Sequence, residues 1–293
     1  MMAIGASAQT SMYKTIKKVL LYQGDSVVYK KNYDKLDSLV FVDVEVLNVP
    51  DGTLPGEFSV SADTKVHFSQ GNLQYVGEWQ FAETQWDIFG SDQYDYHRDL
   101  FGWGTGNTPN NISTDYNDYP DSTSIDWGVN PITNGGNADS LWRTLTTEEW
   151  NYLFFDRENA ATLFALGTVN GEDGVILLPD NWEKPAGASF TPSTTQGLAD
   201  QGNGTYMDEN NGHYIDNTYS IEQWIVMESA GAVFLPAAGI RYSMSAGYDG
   251  ASFYWSATPV EPGLAFFVYF GSTAIFPEFL FYRYYGSAVR LVR

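Results

Sequence analysis

The chain has 293 residues, with 36 Asp and Glu against 15 Lys and Arg, a net charge of −21, and no cysteine. Such an acidic chain repels phosphate backbones and so argues against a nucleic-acid partner. The missing thiols exclude disulfide scaffolds, thiolate metal sites and cysteine catalysis. With 9 Trp, 20 Tyr and 18 Phe the chain is too aromatic for disorder, and its length fits one large domain with a small appendage.

The N-terminus carries Ala6-Ser7-Ala8, the small-x-small form of a signal-peptidase site. Residues 1–8 read as the tail of a secretory signal that starts upstream, with a flexible cytosolic N-terminus as the alternative. Residues 9–56 form a small basic segment and linker. Six lysines (Lys14, Lys17, Lys18, Lys30, Lys31, Lys35) against Asp25 and Asp34 give +4 through residue 35, leaving −25 for the rest. Val19 to Tyr22, the turn Gly24-Asp25 and Ser26 to Tyr29 predict a hairpin, and Leu39 to Val42 a further strand. The run Pro50-Asp51-Gly52-Thr53-Leu54-Pro55-Gly56 reads as a linker, so the main domain is expected over 57–293.

That domain reads as α+β. Phe58 to Ser61 and Lys65 to Phe68 are strand candidates, and residues 90–140 are Gly-, Asn-, Asp- and Tyr-rich with little periodicity. A loop region of that length is functional or structurally specialised. Two helices are signalled by their caps: Thr146 or Thr147 for residues 147–156, with Thr146 to Glu149 at capping-box spacing, and Ser220 to Gln223 for 220–229. Ala232 to Pro236, Phe253 to Thr258, Ala265 to Phe270 and Ala288 to Val292 complete the strands. There is no repeat of fixed period and no apolar window long enough to span a membrane.

Catalytic chemistry is poorly supplied. The three histidines are His67, His97 and His213, and no nucleophile elbow is present. His67 alternates with Val66 and Phe68 as a structural strand residue would. Glu148 and Glu149 are adjacent, so they do not face one another on a helix, and capping accounts for them. Asp92, Asp95 and Asp99, then Asp115, Asp118, Asp121 and Asp126, are hard oxygen ligands of the kind a structural calcium ion takes, with solvated acidic loops as the default; no other cofactor is expected. Gly102-Trp103-Gly104-Thr105-Gly106 lacks a following helix or Lys and reads as a tight turn around a buried Trp rather than a phosphate loop.

The most informative stretch is 253–285, with thirteen aromatics in 33 positions. Ala265 to Phe270 is apolar on both strand faces, as in a doubly buried strand. Phe276 to Tyr285 sets aromatics among Pro277, Glu278 and Arg283 in a loop-like run. That run reads as a binding surface, with core packing as the alternative.

Several segments resemble exported proteins of gut Bacteroidetes and their phages. They are Phe58 to Ala62, His67 to Tyr75, Asp99 to Asn107, Trp142 to Thr146, Ile176 to Trp182, Glu228 to Gly239, Tyr254 to Thr258 and Gly286 to Arg293. The group is similar to the variable target proteins of diversity-generating retroelements, whose C-terminal domain has a C-type-lectin-like fold and whose final segment is rewritten by adenine-directed mutagenesis. The resemblance covers about residues 57–293. It implies a variable region over about 253–293, with a fixed frame of Trp255, Ser256, Ala257, Thr258, Ala265, Phe270, Arg283, Gly286 and Val289 to Arg293. The implied ligand-contacting positions are Val260, Glu261, Gly263, Leu264, Phe266, Phe267, Tyr269, Ser272, Thr273, Ala274, Ile275, Phe276, Glu278, Phe279, Leu280, Phe281, Tyr282, Tyr284, Tyr285 and Ser287. Many are residue types reachable from an adenine-rich Asn codon; Glu261 and Glu278 are not. Calcium-dependent sugar lectins carry Glu-Pro-Asn and Trp-Asn-Asp motifs, whereas this chain has Glu261-Pro262-Gly263 and no Trp-Asn-Asp, which counts against calcium-mediated sugar binding.

The expectation is a non-enzymatic, exported display protein, at the cell surface or extracellular, that binds a protein or glycan on a cell or phage surface. Membrane association is expected only through an exported anchor. A carbohydrate-binding adhesin of fixed specificity and the same fold is the alternative, and a surface-glycan hydrolase is disfavoured by the weak acid/base inventory.

Overall fold

The computed structural model describes residues 13–23, 26–27, 38–47, 49–89, 98–119, 126–193, 195–198, 204–207, 212–247, 250–260 and 263–293. The chain divides into two compact units, residues 1–49 and 50–293. In the first, β1 (Tyr13–Gln23) meets β2 (Ser26–Val27) only through Tyr22↔Val27 and Gln23↔Ser26. Its main partner is β3 (Ser38–Leu47), antiparallel from Tyr13↔Leu47 to Tyr22↔Ser38. The anticipated hairpin is therefore the minor pairing. β3 also runs past Val42, because Val44 and Val46 continue the strand alternation across Asp43 and Glu45.

Pro50 to Gly56 belongs to the second unit rather than to a linker. Leu54 is buried there, its N–H donates to the Phe68 carbonyl, and Thr53 bridges Ser69. This unit is mixed α and β, with mostly antiparallel sheets. Its first strands are short pairs: β4 (Phe58–Ser59) with β5 (Lys65–Val66), and β6 (Leu73–Tyr75) with β7 (Trp79–Phe81). β8 (Arg143–Thr144) precedes α1 (Thr147–Asn151), which continues through Tyr152–Asp156 as a turn of π-helix. The strands β9 (Phe164–Val169) and β10 (Glu172–Leu177) follow, then β11 (Thr195–Leu198), β12 (Thr205–Met207) and β13 (Thr218–Tyr219). After α2 (Ile221–Ser229) come β14 (Val233–Pro236), β15 (Ile240–Tyr242), β16 (Ser245–Gly247), β17 (Ala251–Pro259), β18 (Leu264–Gly271), β19 (Ala274–Tyr282) and β20 (Leu291–Val292).

Both helices start where their side chains dictate. Thr146 and Glu149 exchange side-chain-to-backbone hydrogen bonds, as do Ser220 and Gln223. Each pair satisfies two of the orphan N–H groups of a first helical turn. Glu149 also holds Arg143 through paired bonds of 2.6 and 2.7 Å, so its carboxylate is structural. α1 and its π-turn bury Trp150, Leu153 and Phe154; α2 buries Ile221, Trp224 and Met227.

Two larger sheets organise the unit. One has the order β13-β9-β10-β14, with only the β13–β9 pair parallel; the other is β11-β12-β19-β18-β17. The strands β17, β18 and β19 form a wall with core on both sides. Tyr254, Val268, Phe270 and Ile275 face the cluster containing Trp150, Phe154, Leu166 and Val175. Phe253, Trp255, Ala265 and Phe267 face a second cluster with Phe101, Trp103, Trp127 and Trp142. The second layer comes largely from the irregular residues 98–119 and 126–142, whose Trp103, Trp127 and Trp142 form a lid over the sheet rather than a free loop.

The C-terminus is threaded through this frame. The N–H groups of His67, Ser69 and Leu73 donate to the carbonyls of Arg293, Leu291 and Val289, and Leu291 pairs with Thr144. No helix among the described residues is long and apolar enough to cross a membrane.

Candidate binding surface

The surface is built on β18 and β19. The register runs Ala265↔Phe281, Phe266↔Leu280 and Phe267↔Phe279, then shifts to Tyr269↔Phe276 and Phe270↔Ile275. Two residues, Pro277 and Glu278, stand opposite Val268. Proline has no N–H for the ladder, so a bulge is where a strand tolerates it. Side chains alternate along a strand, and Phe276 and Phe279 would otherwise point to opposite faces. The bulge puts Phe276, Phe279 and Phe281 on one face, beside Tyr269 and Phe267. The segment anticipated as loop-like is thus a bulged strand.

These rings form a continuous ladder. Tyr206 meets Phe276 at 5.9 Å between centroids, Phe276 meets Phe279 at 5.9 Å, Phe279 meets Phe267 at 5.5 Å and Phe267 meets Phe281 at 5.7 Å. Phe281 then reaches Tyr285 at 4.3 Å, Tyr285 reaches Tyr284 at 4.9 Å and Tyr284 stacks on Tyr282 at 5.2 Å. Tyr242 joins at 5.2 Å from Tyr285. Tyr206 (49%), Tyr242 (48%), Tyr282 (48%) and Phe279 (39%) are exposed, whereas Phe267 is fully buried. Large rings half in solvent supply contact area with little rotamer entropy to lose.

Of the residues anticipated as ligand contacts, Phe279, Leu280, Tyr282, Ser272 and Thr273 are exposed, the last two at the β18–β19 turn. Val260, Leu264, Phe266, Tyr269, Phe276, Glu278, Phe281, Tyr284 and Tyr285 are half-buried. Phe266 and Leu280 lie on the opposite sheet face from the ladder. Five are corrected to buried positions. Phe267 underlies the ladder, Ile275 turns into the core, Ala274 is buried opposite Tyr206, and Ser287 pairs its backbone with Phe101. Gly263 sits at φ +84° against the Tyr116 ring, a turn position rather than a contact. Glu261 lies outside the described residues, as do Asp92, Asp95, Asp121 and His97. Trp255 is fully buried and donates to the Phe101 carbonyl at 2.6 Å, so it offers no platform to a sugar. Two ladder residues, Tyr206 and Tyr242, come from outside the C-terminal segment. Their local signal is slight: Tyr206 is the outward residue between inward Thr205 and Met207, and Tyr242 follows the buried Arg241.

Buried arginines set the turn that carries the tyrosines. The Arg283 guanidinium lies 4.4 Å over the Trp103 ring, its Nε–H donates to the Leu264 carbonyl at 2.8 Å, and its backbone N–H donates to the Gly263 carbonyl. Arg241 Nε–H donates to the Leu100 carbonyl at 2.9 Å. A Cβ on Gly286 would stand 2.5 Å from Arg241 Nε and from that same carbonyl, so only glycine fits there. Burial raises the Tyr284 phenol pKa, and the neighbouring phenols of Tyr285, Tyr242 and Tyr282 raise it further. Ionisation of the Tyr284 phenol is therefore disfavoured.

Of the described aspartates of the acidic loops, Asp126 caps a 3₁₀ turn and accepts from the Thr144 N–H at 2.9 Å, Asp99 accepts from the Phe89 N–H at 2.6 Å, Asp115 accepts from the Asn117 N–H at 2.9 Å, and Asp118 accepts from the Ser113 hydroxyl. No group of three His, Asp or Glu arranged to hold a metal occurs among the described residues. His67 Nδ1 faces the Leu54 carbonyl at 3.2 Å, a structural contact. Trp103 is fully buried at a turn with Gly104 at φ +72°, in accord with the tight-turn reading.

No protein-family model, curated protein or solved structure matches the chain.

Proposed function

We propose that this chain is a non-enzymatic, exported display protein with a C-type-lectin-like fold. Its C-terminal aromatic surface, diversified by a retroelement, binds varied protein or glycan ligands on cell or phage surfaces. The observation that carries the reading is the partition of the C-terminal segment. Of the positions assigned to a fixed frame, Trp255, Ser256, Ala265, Phe270, Arg283, Gly286 and Val289 to Val292 are buried, and Ala257, Thr258 and Arg293 are half-buried. The ladder of rings between them reaches solvent at Phe279 and Tyr282. Such a scaffold tolerates substitution at the exposed ladder rings, because packing rests mainly on the buried frame and on Phe267. The threaded C-terminus and the two capped helices support the fold reading. The structural engagement of Glu149 and His67 supports a binding rather than a catalytic role.

The diversification half is tested in the genome. A near-copy of the DNA encoding 253–293 is expected nearby, together with a reverse transcriptase gene; absence of both, with no variation among isolates, refutes it. The surface half is tested by Phe279→Ala combined with Tyr282→Ala. Both rings reach solvent but keep ring contacts, so stability should fall by about 1–3 kcal/mol with cooperative unfolding retained, while ligand binding is lost. A glycan ligand that depends on Tyr282 and Tyr284, with an invariant C-terminal segment, would establish the fixed-specificity adhesin instead. The near-parallel stack of those two rings, at 11°, is the feature that favours it.

A further inference from the structure

We propose that the tyrosine end of the ladder recognises a cationic ligand, the Lys and Arg side chains of a basic polypeptide segment. This inference rests on the reading of the ladder as a binding surface and specifies what it binds. Tyr242, Tyr282, Tyr284 and Tyr285 gather their rings within 6 Å of one another in sequence along the cluster, with Tyr242 and Tyr282 half in solvent. The face of a phenol ring is the negative end of its quadrupole and attracts ammonium and guanidinium groups.

The charges around the cluster point the same way. The turn of Gly263, bonded to Arg283 between Tyr282 and Tyr284, packs against Tyr116. Tyr116 is itself exposed and opens a 3₁₀ turn bracketed by Asp115 and Asp118. Both aspartates are exposed, and both accept hydrogen bonds only from neutral groups, Asn117 for Asp115 and Ser113 for Asp118. Their charges are therefore available to a ligand beside the tyrosines. The two arginines on the adjoining strands and turns, Arg241 and Arg283, are buried under the cluster and committed to backbone carbonyls and the Trp103 ring. They hold the rings in place without presenting a positive surface. With a net charge of −21 on the chain, a basic partner is steered in and an anionic one is turned away.

The test uses three immobilised probes against the full chain: a twelve-residue Lys/Arg/Gly/Ser peptide, the same peptide with its lysines acetylated and its arginines replaced by citrulline, and a panel of neutral glycans. The basic peptide is expected to bind, to weaken at least tenfold in Tyr282→Leu combined with Tyr284→Leu, and to weaken severalfold in Asp115→Asn combined with Asp118→Asn. Leucine keeps apolar area but has no ring face, so the first pair separates cation–π recognition from simple burial. Unchanged thermal unfolding of both variants guards against misfolding. Equal binding of the basic peptide to wild type and the leucine variant overturns the inference, because attraction to acidic charge alone would explain it. Ladder-dependent binding of the neutral peptide or a glycan without the basic peptide also overturns it, and leaves the surface reading standing. If no probe binds in a ladder-dependent way, both fall.

Discussion

Asp180 shows how one carboxylate can organise a neighbourhood. It accepts from the Ser59 hydroxyl at 2.6 Å and the Ser59 N–H at 3.0 Å, and pairs with Lys65 at 3.2 Å and with Arg157 at 3.3 Å. Arg157 is almost wholly buried and also donates to the Leu163 and Leu178 carbonyls; burial, opposed by Asp180, takes its pKa down to about 10. For Asp180, burial alone would raise the pKa, but the Ser59 hydrogen bonds, then Lys65 and Arg157, outweigh it and hold the carboxyl below its ordinary value. A depressed carboxyl contributes stability that is fully present above its unfolded-state pKa and is lost as pH falls through the lower folded-state value. Asp180→Asn strands the buried guanidinium and is expected to cost about 2–3 kcal/mol at neutral pH. In urea unfolding, its difference from wild type should shrink on acidification through the carboxylate range. A difference that persists in acid would show that packing, not charge, holds this corner.

At the scale of elements, the sheet places the candidate surface and the bulge at Pro277-Glu278 sets its parity. Deleting Pro277 alone leaves one residue opposite Val268 and keeps Phe279 opposite Phe267. Deleting both residues moves Phe279 and Phe281 to the other face, because a one-residue slip inverts a strand. The single deletion should therefore retain native near-ultraviolet circular dichroism and urea stability within about 1 kcal/mol, and the double deletion should lose both. The tryptophan lid is a second element-level device. Trp103 fills the space beneath Arg283 and donates to the Ser256 carbonyl at 2.9 Å. Trp103→Ala should cost about 3–5 kcal/mol from lost burial and the cavity together and loosen the turn that carries Tyr282, Tyr284 and Tyr285. Unfolding by denaturant, followed by the fluorescence of the remaining tryptophans, measures it.

The helices were legible in the sequence because capping is local: Thr146 with Glu149, and Ser220 with Gln223, lie three residues apart and need no tertiary partner. The aromatic concentration near the C-terminus was equally visible as composition. The bulge was not, since proline in an aromatic run suits a loop as well as a strand and only pairing with β18 decides. Nor was the burial of Phe267, Ala274, Ile275 and Ser287, which depends on what packs above them. Tyr206 and Tyr242 could not have been joined to the ladder from sequence, because they lie about 70 and 40 residues from the nearest ladder strand residue they serve, and such long-range proximity is a tertiary result.

For the whole molecule, the main unit closes on its own C-terminus. Val289, Arg290, Leu291 and Val292 are fully buried. The Arg290 guanidinium donates to Gln85 Oε1 at 2.9 Å and to Asn72 Oδ1 at 3.3 Å, and burial takes its pKa down to about 10. A chain ending at Gly286 loses this buried segment and the backbone partners of His67, Ser69 and Leu73. It should fail to unfold cooperatively and should lose near-ultraviolet dichroism, whereas truncations at most chain ends are tolerated. Cooperative unfolding of the truncated chain would show that the terminal strand is dispensable.

What the sequence by itself determined is what local chemistry and composition decide: an acidic, cysteine-free, mixed α and β chain, two capped helices, and an aromatic-rich C-terminal stretch. Tertiary structure alone decided which of those aromatics are wall and which are surface. A ring is buried or exposed according to what stands opposite it, and here the neighbours are a tryptophan lid more than a hundred residues upstream and a strand whose parity is set by one extra residue.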